Sequence, residues 1–179
     1  MRKLLPIGLL TAIALASGAA GCAVEEETEG SPKKKAPAPP DPAVHFADAA
    51  LEQCVRTSLG VPEGDILKAD AELAAHLECV NMGIATLDGL EWFKGLQTLT
   101  LWENAIADLT PLAGLVALTD LQLGHNALGD LQPLAGTTSL RRLGLAVNYV
   151  ADIGPLAGLA GLEWLNLDVN NIADAGPLG

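Results

Sequence analysis

A chain of 179 residues is long enough for one modest domain with appendages. Half of its residues are apolar but only 3% are aromatic, so leucine and alanine are expected to form the core. The formal net charge of -12 at pH 7 argues against a nucleic-acid partner, since phosphate binding requires a basic surface. The acidity favours solubility and, more weakly, a basic partner.

The first residues have the pattern of an export signal. Arg2 and Lys3 supply positive charge, and residues 4–16 form an apolar stretch too short to span a membrane. Small residues then lead to Cys22, and the whole resembles a bacterial lipoprotein signal in which residues 1–21 are removed and Cys22 is lipidated. This implies an exported, lipid-anchored protein, and Ala23 resembles sorting to the outer membrane of a Gram-negative bacterium, on its periplasmic or outer surface. The alternative is ordinary cleavage nearby, which leaves Cys22 as an incidental thiol.

Residues 22–43 are predicted to be a disordered tether. They hold an acidic run, a basic run at residues 33–35 and five prolines, with almost no apolar side chain to bury. Fully extended, the tether would hold the following domain up to ~60 Å from a membrane.

Residues 44–75 are predicted to form a helical cap. Apolar side chains recur near helical spacing over residues 47–59, and Gly60 ends this helix. A turn at residues 62–65 leads to a second short helix over residues 68–75. Since a repeat buries its face only against a neighbour, both helices are expected to cover the first strand.

Residues 74–179 carry a repeat with a fixed period of 22 residues. The phrase LxxLxLxxNxIxDLxPLxxL surrounds four equally spaced asparagines. With leucine, isoleucine and valine counted as equivalent, the four copies match at 37 of the 39 template positions present, with exceptions at Thr137 and Ala175. A degenerate copy with Met82 at the asparagine position precedes them. Such a period is typical of a leucine-rich repeat solenoid. About five strands are predicted, near Leu77, Leu99, Leu121, Leu143 and Leu165, with the last copy incomplete.

The consensus predicts a structural role for its polar positions. The asparagines are expected to bond backbone groups of adjacent coils and so form a ladder through Asn104, Asn126, Asn148 and Asn170. Aspartates three residues before each proline are expected to cap helical turns. These are Asp108, Asp130, Asp152 and Asp174, and the alternative for them is a cation-binding acidic column.

The repeat, the cap over residues 46–60 and the segment LDGLEWF at residues 87–93 together resemble bacterial internalin-type leucine-rich repeats. The resemblance implies a right-handed α/β solenoid with short parallel strands on the concave face, 3₁₀ turns on the convex face and a helical N-terminal cap. It also implies a surface or secreted protein that binds proteins. Internalins proper have further repeats and an immunoglobulin-like domain, whereas this sequence stops inside its fifth copy. An uncovered strand edge is therefore expected, either for self-association or as the cut edge of a longer protein.

Cys54 and Cys79 are predicted to form a disulfide in an oxidising compartment. A cap helix over the first strand would bring them within the ~5.5–6 Å Cα separation that a disulfide needs. The alternative is two buried free thiols.

No catalytic or metal site is predicted. His45, His76 and His125 lie on different elements without a second ligand at metal spacing, and no nucleophile–histidine–acid set or glycine-rich phosphate loop is present. A binding protein without a cofactor is therefore expected.

The alternation of strand residues predicts where a protein or peptide partner would be held. The outward and loop-side positions of the concave face are Thr98, Thr100, Trp102, Glu103, Asp120, Gln122, His125, Arg142, Trp164, Asn166 and Asp168. Trp102 and Trp164, ~14 Å apart, are expected to be the walls of a trough with a floor of Gly124, Gly144 and Ala146. The alternatives are that Trp164 covers an end of the array and that Trp102 folds onto its neighbours. The second functional class is a self-assembling structural element of the cell envelope.

Overall fold

The computed structural model of the protein describes residues 42–178. The predicted signal, Cys22 and residues 22–41 of the predicted tether lie outside the described residues. Within residues 42–178, no helix has the length and apolar character needed to cross a bilayer.

Two helices are followed by a five-stranded parallel sheet whose strands lie side by side in chain order. The helices are α1 (Ala49–Leu59) and α2 (Lys68–Leu73). The strands are β1 (His76–Glu78), β2 (Thr98–Thr100), β3 (Asp120–Gln122), β4 (Arg142–Gly144) and β5 (Trp164–Asn166). Five 3₁₀ helices alternate with them, at Leu90–Trp92, Thr110–Leu112, Gln132–Leu134, Gly154–Gly158 and Gly176–Leu178. The leucine-rich repeat fold and the five strands predicted from the period are confirmed.

The core is a set of leucine columns that run through the stacked repeats. The central leucines of adjacent strands are register partners, from Leu77 through to Leu165. The exception at Thr137 is completely buried, and its Oγ1 donates a hydrogen bond of 2.7 Å to the carbonyl oxygen of Leu134. This bond satisfies the hydroxyl, so a threonine can stand in a leucine column without leaving a buried polar group unpaired.

The predicted asparagine ladder is present at all four asparagines. The amide of Asn148 is typical: Oδ1 accepts the N–H of Leu128 in the preceding repeat, and Nδ2 donates to the carbonyl oxygens of Leu123 and Leu145, each at 3.0 Å. Equivalent bonds are made by the other three members, Asn104, Asn126 and Asn170. One side chain per repeat thus ties two consecutive coils through three backbone groups.

The cap begins slightly earlier than expected, and its two helices cover different parts of the first repeat. Pro42 and Ala43 already bond to the segment at Leu67 and Lys68. Helix α1 packs against β1, whereas α2 packs against the 3₁₀ helix at Leu90–Trp92. The expectation that both helices cover β1 was therefore too simple. The second helix also ends at Leu73 instead of residue 75, because Ala74 is extended, with ψ at 118°.

The predicted disulfide between Cys54 and Cys79 is confirmed, with a Cα–Cα distance of 5.8 Å. It joins helix α1 to the residue that follows β1, and both cysteines are buried. The cap is therefore bonded covalently to the first coil of the solenoid, which reduces the freedom of the unfolded chain.

A second link between cap and solenoid is the Asp48 carboxylate. Its Oδ1 accepts the N–H groups of Ala50 and Leu51 at the start of α1, and its Oδ2 accepts those of Ala85 and Thr86 in the first repeat. Partial burial raises the pKa of the Asp48 carboxyl, but the four N–H donors together bring the pKa below its ordinary value. The same group thus caps a helix and holds a distant loop.

We predict that Asp48→Asn removes part of the acid sensitivity of the fold. A depressed folded-state pKa gives stability that is present above the ordinary carboxyl value of about 3.9 and is lost as the pH falls through the lower folded value. Asparagine keeps one cap oxygen but replaces the acceptor for Ala85 and Thr86 with a donor. Urea unfolding should show that the wild type loses roughly 1 kcal/mol more than the variant between about pH 6 and about pH 3.

The matched control is Asp65→Asn, which changes an exposed carboxylate of the same cap. This variant should retain the pH dependence of the wild type. An Asp48→Asn protein with the wild-type acid dependence would contradict the role assigned to Asp48.

Candidate functional site

The outward side chains of the five strands form one continuous surface, here called the concave face after the corresponding side of leucine-rich repeat solenoids. Strand register aligns them in rows, one of which contains Thr98, Asp120, Arg142 and Trp164. None of the eleven residues predicted from strand alternation is buried. The alternation therefore identified correctly which side chains face solvent.

A chain of polar and aromatic contacts crosses the second half of this face. Gln122 Nε2 donates to Asp120 Oδ1 at 2.7 Å, and Asp120 Oδ2 lies 3.2 Å from Arg142 Nε. The Arg142 guanidinium carbon lies 5.2 Å from the centroid of the Trp164 ring, within cation–π range. Because the side chains are partly exposed, each contact adds only a few tenths of a kcal/mol to about 1 kcal/mol of stability. Their main effect is to restrict outward side chains of β3, β4 and β5 to a defined arrangement.

Trp102 lies against the backbone of the next repeat. A Cβ added to Gly124 would stand only 2.6 Å from Trp102 Cδ1, so the missing side chain of Gly124 makes the space that the indole occupies. The indole also meets the His125 ring edge-on, with centroids 4.7 Å apart and planes at 71°. Trp102 nevertheless remains 39% exposed, so it presents a fixed aromatic surface to solvent.

The open trough expected from the sequence is not what the structure contains. Trp102 follows the end of its strand, whereas Trp164 begins β5, so the two residues stand at opposite ends of their strands. Gly124 is covered by Trp102, and a Cβ on Gly144 would overlap the Gln122 side chain. The two glycines therefore make room for the side chains of Trp102 and Gln122, and no open trough remains between the tryptophans. This agrees with the alternative that Trp102 folds onto its neighbours.

Sequence reasoning missed a second feature beside this face. The residue immediately before each ladder position has a left-handed backbone, with φ between 55° and 58° in Asn81, Glu103, His125, Val147 and Val169. Two of these are valines, which rarely adopt this conformation. The signal that could have revealed them is a β-branched apolar residue at a position where the earlier copies carry polar ones.

The recurring aspartates cap the 3₁₀ helices. Oδ1 of Asp108, Asp130, Asp152 and Asp174 accepts in each case the N–H two residues further on, at 2.8 Å. The side-chain hydroxyl and the backbone N–H of Thr110 lower the pKa of Asp108. Within residues 42–178, no group of three or more histidine, cysteine or acidic side chains is placed to hold a metal ion.

Comparison with known proteins agrees with this geometry. A family model described as leucine-rich repeats in two copies matches residues 94–136. The chain has a leucine-rich repeat fold. An internalin of Listeria monocytogenes, InlF, superimposes with a TM-score of 0.73 and 34% identity over 74% of this chain and 40% of that protein. The functional domain of InlJ from Listeria monocytogenes, described as including a cysteine ladder, gives a TM-score of 0.66 and 25% identity over 74% and 29%.

The leucine-rich repeat chain is thus similar in structure to Listeria internalins, and it spans less than half the length of each of these two proteins. The likeness covers the stacked repeats, which explains why the repeat pattern alone was sufficient to indicate the fold. It does not extend to the identity of a bound partner.

We predict that Gly124→Ala displaces the Trp102 indole. The added Cβ would overlap the indole, and the ring must move towards solvent because the backbone of the next repeat blocks the other side. Tryptophan emission should shift to longer wavelength and become more sensitive to iodide quenching, and the Trp102→Phe variant identifies the contribution of this residue.

Gly129→Ala is the matched control, because a Cβ on Gly129 meets no atom within 4 Å. Its emission should equal that of the wild type. Unchanged emission and quenching in Gly124→Ala would show that Gly124 does not seat the indole.

Proposed function

We propose that the concave face is a non-enzymatic binding surface for a protein or peptide. The observation that carries this proposal is Trp102, a large aromatic side chain held in one position by Gly124 and His125 and still 39% exposed. Aromatic and arginine side chains supply much of the binding energy in protein interfaces. Leucine-rich repeat proteins generally bind protein partners, which agrees with this assignment.

The fixed arrangement of the face favours binding for a thermodynamic reason. Association normally costs conformational entropy as interface side chains become ordered. On this face the contacts that join Gln122, Asp120, Arg142 and Trp164 already restrict those side chains in the free protein. Five strands span only roughly 20 Å, so an interface of standard size, about 800 Å² on each partner, would use most of the face.

We propose further that the domain is displayed from a membrane by a lipid on Cys22. The support is the sequence pattern of residues 1–22, and the membrane is expected to be the outer membrane of a Gram-negative bacterium. Mass spectrometry of the mature N-terminus from the native host should find a diacylated or triacylated Cys22. An unmodified Cys22, or a mature chain that begins elsewhere, would rule out the anchor.

In-cell photo-crosslinking should identify the binding face. We expect a photoreactive residue at Gln122, on the concave face, to give a discrete adduct with another protein. The same residue at Ala113, exposed at the end of a 3₁₀ helix away from the strands, is the matched control and should give none. Adducts of equal yield from both positions, or from Ala113 alone, would contradict the assignment of the concave face.

A second candidate function is self-association at the β5 edge. Leu165, Leu167 and Ile172 are only partly buried, whereas the same positions one repeat earlier are fully buried. An open cavity of about 320 Å³ beside this edge is lined by apolar side chains that include Leu156, Leu159 and Leu162. A second copy, or a further repeat, would cover this surface as each repeat covers the one before it.

Sedimentation distinguishes this candidate from the first. A dimer that survives dilution and is lost in Leu165→Lys would support self-association, and Gln122 adducts at twice the protein's own mass would agree with it. A monomer at all concentrations would exclude it.

A further inference from the structure

Two valines beside the concave face adopt a backbone conformation that is unfavourable for them. Val147 has φ at 58° and Val169 has φ at 56°, and both precede a ladder asparagine. A β-branched side chain in this left-handed region crowds the backbone, whereas asparagine and histidine, found at this position in earlier copies, tolerate it. The bend after each strand imposes the conformation, including at Asn81, but it does not require valine.

Burial within the described chain compensates little for this strain at Val169, whereas Val147 is partly buried. Val169 is 72% exposed, and Tyr149, which stands two residues after Val147, is 64% exposed. Together with the ladder amides they line an open depression of about 240 Å³. We call the surface formed by Val147, Tyr149 and Val169 the valine notch. Residues held in sparsely populated backbone conformations cluster at active and ligand-binding sites.

From Leu143 onward the charged side chains are all acidic, whereas His125 lies beside the notch, with its N–H bonded to the carbonyl oxygen of Ala146. Residues 143–178 contain four carboxylates, at Asp152, Glu163, Asp168 and Asp174, and no lysine, arginine or histidine. The wider domain is similar, since residues 42–178 hold 17 acidic and five basic side chains and thus the whole net charge of -12. Asp168 is exposed, directly precedes Val169 and forms no ion pair with the described residues. A partner that carries positive charge beside its apolar contact is therefore favoured.

The valine notch is continuous with the concave face. Ala146 and Asp168 are the last outward positions of their repeats, and each is followed directly by a valine of the notch. The N–H of Val147 also donates to the carbonyl oxygen of Asp168 in the next coil. A segment that lies across the strands and leaves at their carboxyl ends would therefore pass over the valines.

We propose that the valine notch receives a large apolar side chain of a polypeptide segment that carries basic residues next to it. This inference rests on the proposed function, because the segment is the same one that occupies the concave face. The apolar side chain would be buried between Val147, Tyr149 and Val169, and its basic neighbours would lie near Asp168. Burial of apolar area would supply affinity, while the charges would give faster association and a dependence on ionic strength.

The test is selection of random peptides displayed on phage against the immobilised full chain, followed by affinity measurements on variants. Val147→Asn/Val169→Asn removes the apolar surface and replaces it with a residue suited to a left-handed backbone. Its midpoint of thermal unfolding should be equal to or higher than that of the wild type, which separates loss of the site from loss of the fold. Val116→Asn is the matched control, because Val116 is also exposed, at 58%, but lies outside the notch and has no left-handed backbone.

We expect the selected peptides to carry a large apolar residue beside lysine or arginine. Their affinity for Val147→Asn/Val169→Asn and for Trp102→Ala should be lower than for the wild type by a factor of roughly ten or more. Their affinity for Val116→Asn should equal that for the wild type. Binding to the wild type should weaken at high salt. Peptides weakened by Trp102→Ala but not by the double variant would overturn the notch and leave the concave-face proposal standing. Peptides weakened by the double variant alone would contradict a shared segment and the concave-face proposal. Failure to select any peptide, or selection of peptides without basic residues, would overturn the inference.

Discussion

The hydrogen bonds of the ladder asparagines are the interaction on which the rest of this structure depends. A strand of three residues cannot be stable alone, and successive coils are joined by few backbone bonds at each strand. One amide per repeat adds three bonds that are shielded from solvent, most completely at Asn148, which is 6% exposed. These bonds brace the bend after each strand, where the residue before the ladder position has a left-handed backbone.

The ladder and the leucine columns also determine where variation is possible. Inward positions must fill a core of constant width, so they repeat almost without change, whereas outward positions carry no such requirement. The contacts that cross the concave face therefore arise from residues outside the consensus: Gly124 seats Trp102, and Asp120 meets Arg142 because the register places them side by side. The fold is a property of the repeat, and the character of the concave face is a property of the departures from it.

The sequence was sufficient for every feature that follows from periodicity. The five strands, the asparagine ladder, the aspartate caps and the outward set of residues repeat every 22 residues, and the disulfide followed from the expected position of a cap helix over β1. Features that depend on side-chain conformation or on contacts between distant segments were not accessible. The fold of Trp102 over Gly124 replaced an expected open trough, and the bond from Ala85 to Asp48 spans 37 residues without any sequence pattern. The left-handed valines required knowledge of the backbone at the bend.

The dependence of the concave face on the ladder is tested most directly by hydrogen exchange of backbone amides in Asn148→Ala. The control is Asn171→Ala, which alters an exposed asparagine next to the ladder. Loss of the Asn148 amide leaves the Leu128 N–H without a partner, and the carbonyl oxygens of Leu123 and Leu145 keep only the donors from Asn126 and Asn170. Destabilisation of about 1–3 kcal/mol is therefore expected. Protection should fall at Leu128 and also at the amides that join β3 to β4, while Asn171→Ala remains like the wild type. Faster exchange at Leu128 alone, with the β3–β4 amides as protected as before, would show that the strands hold the concave face together without the ladder.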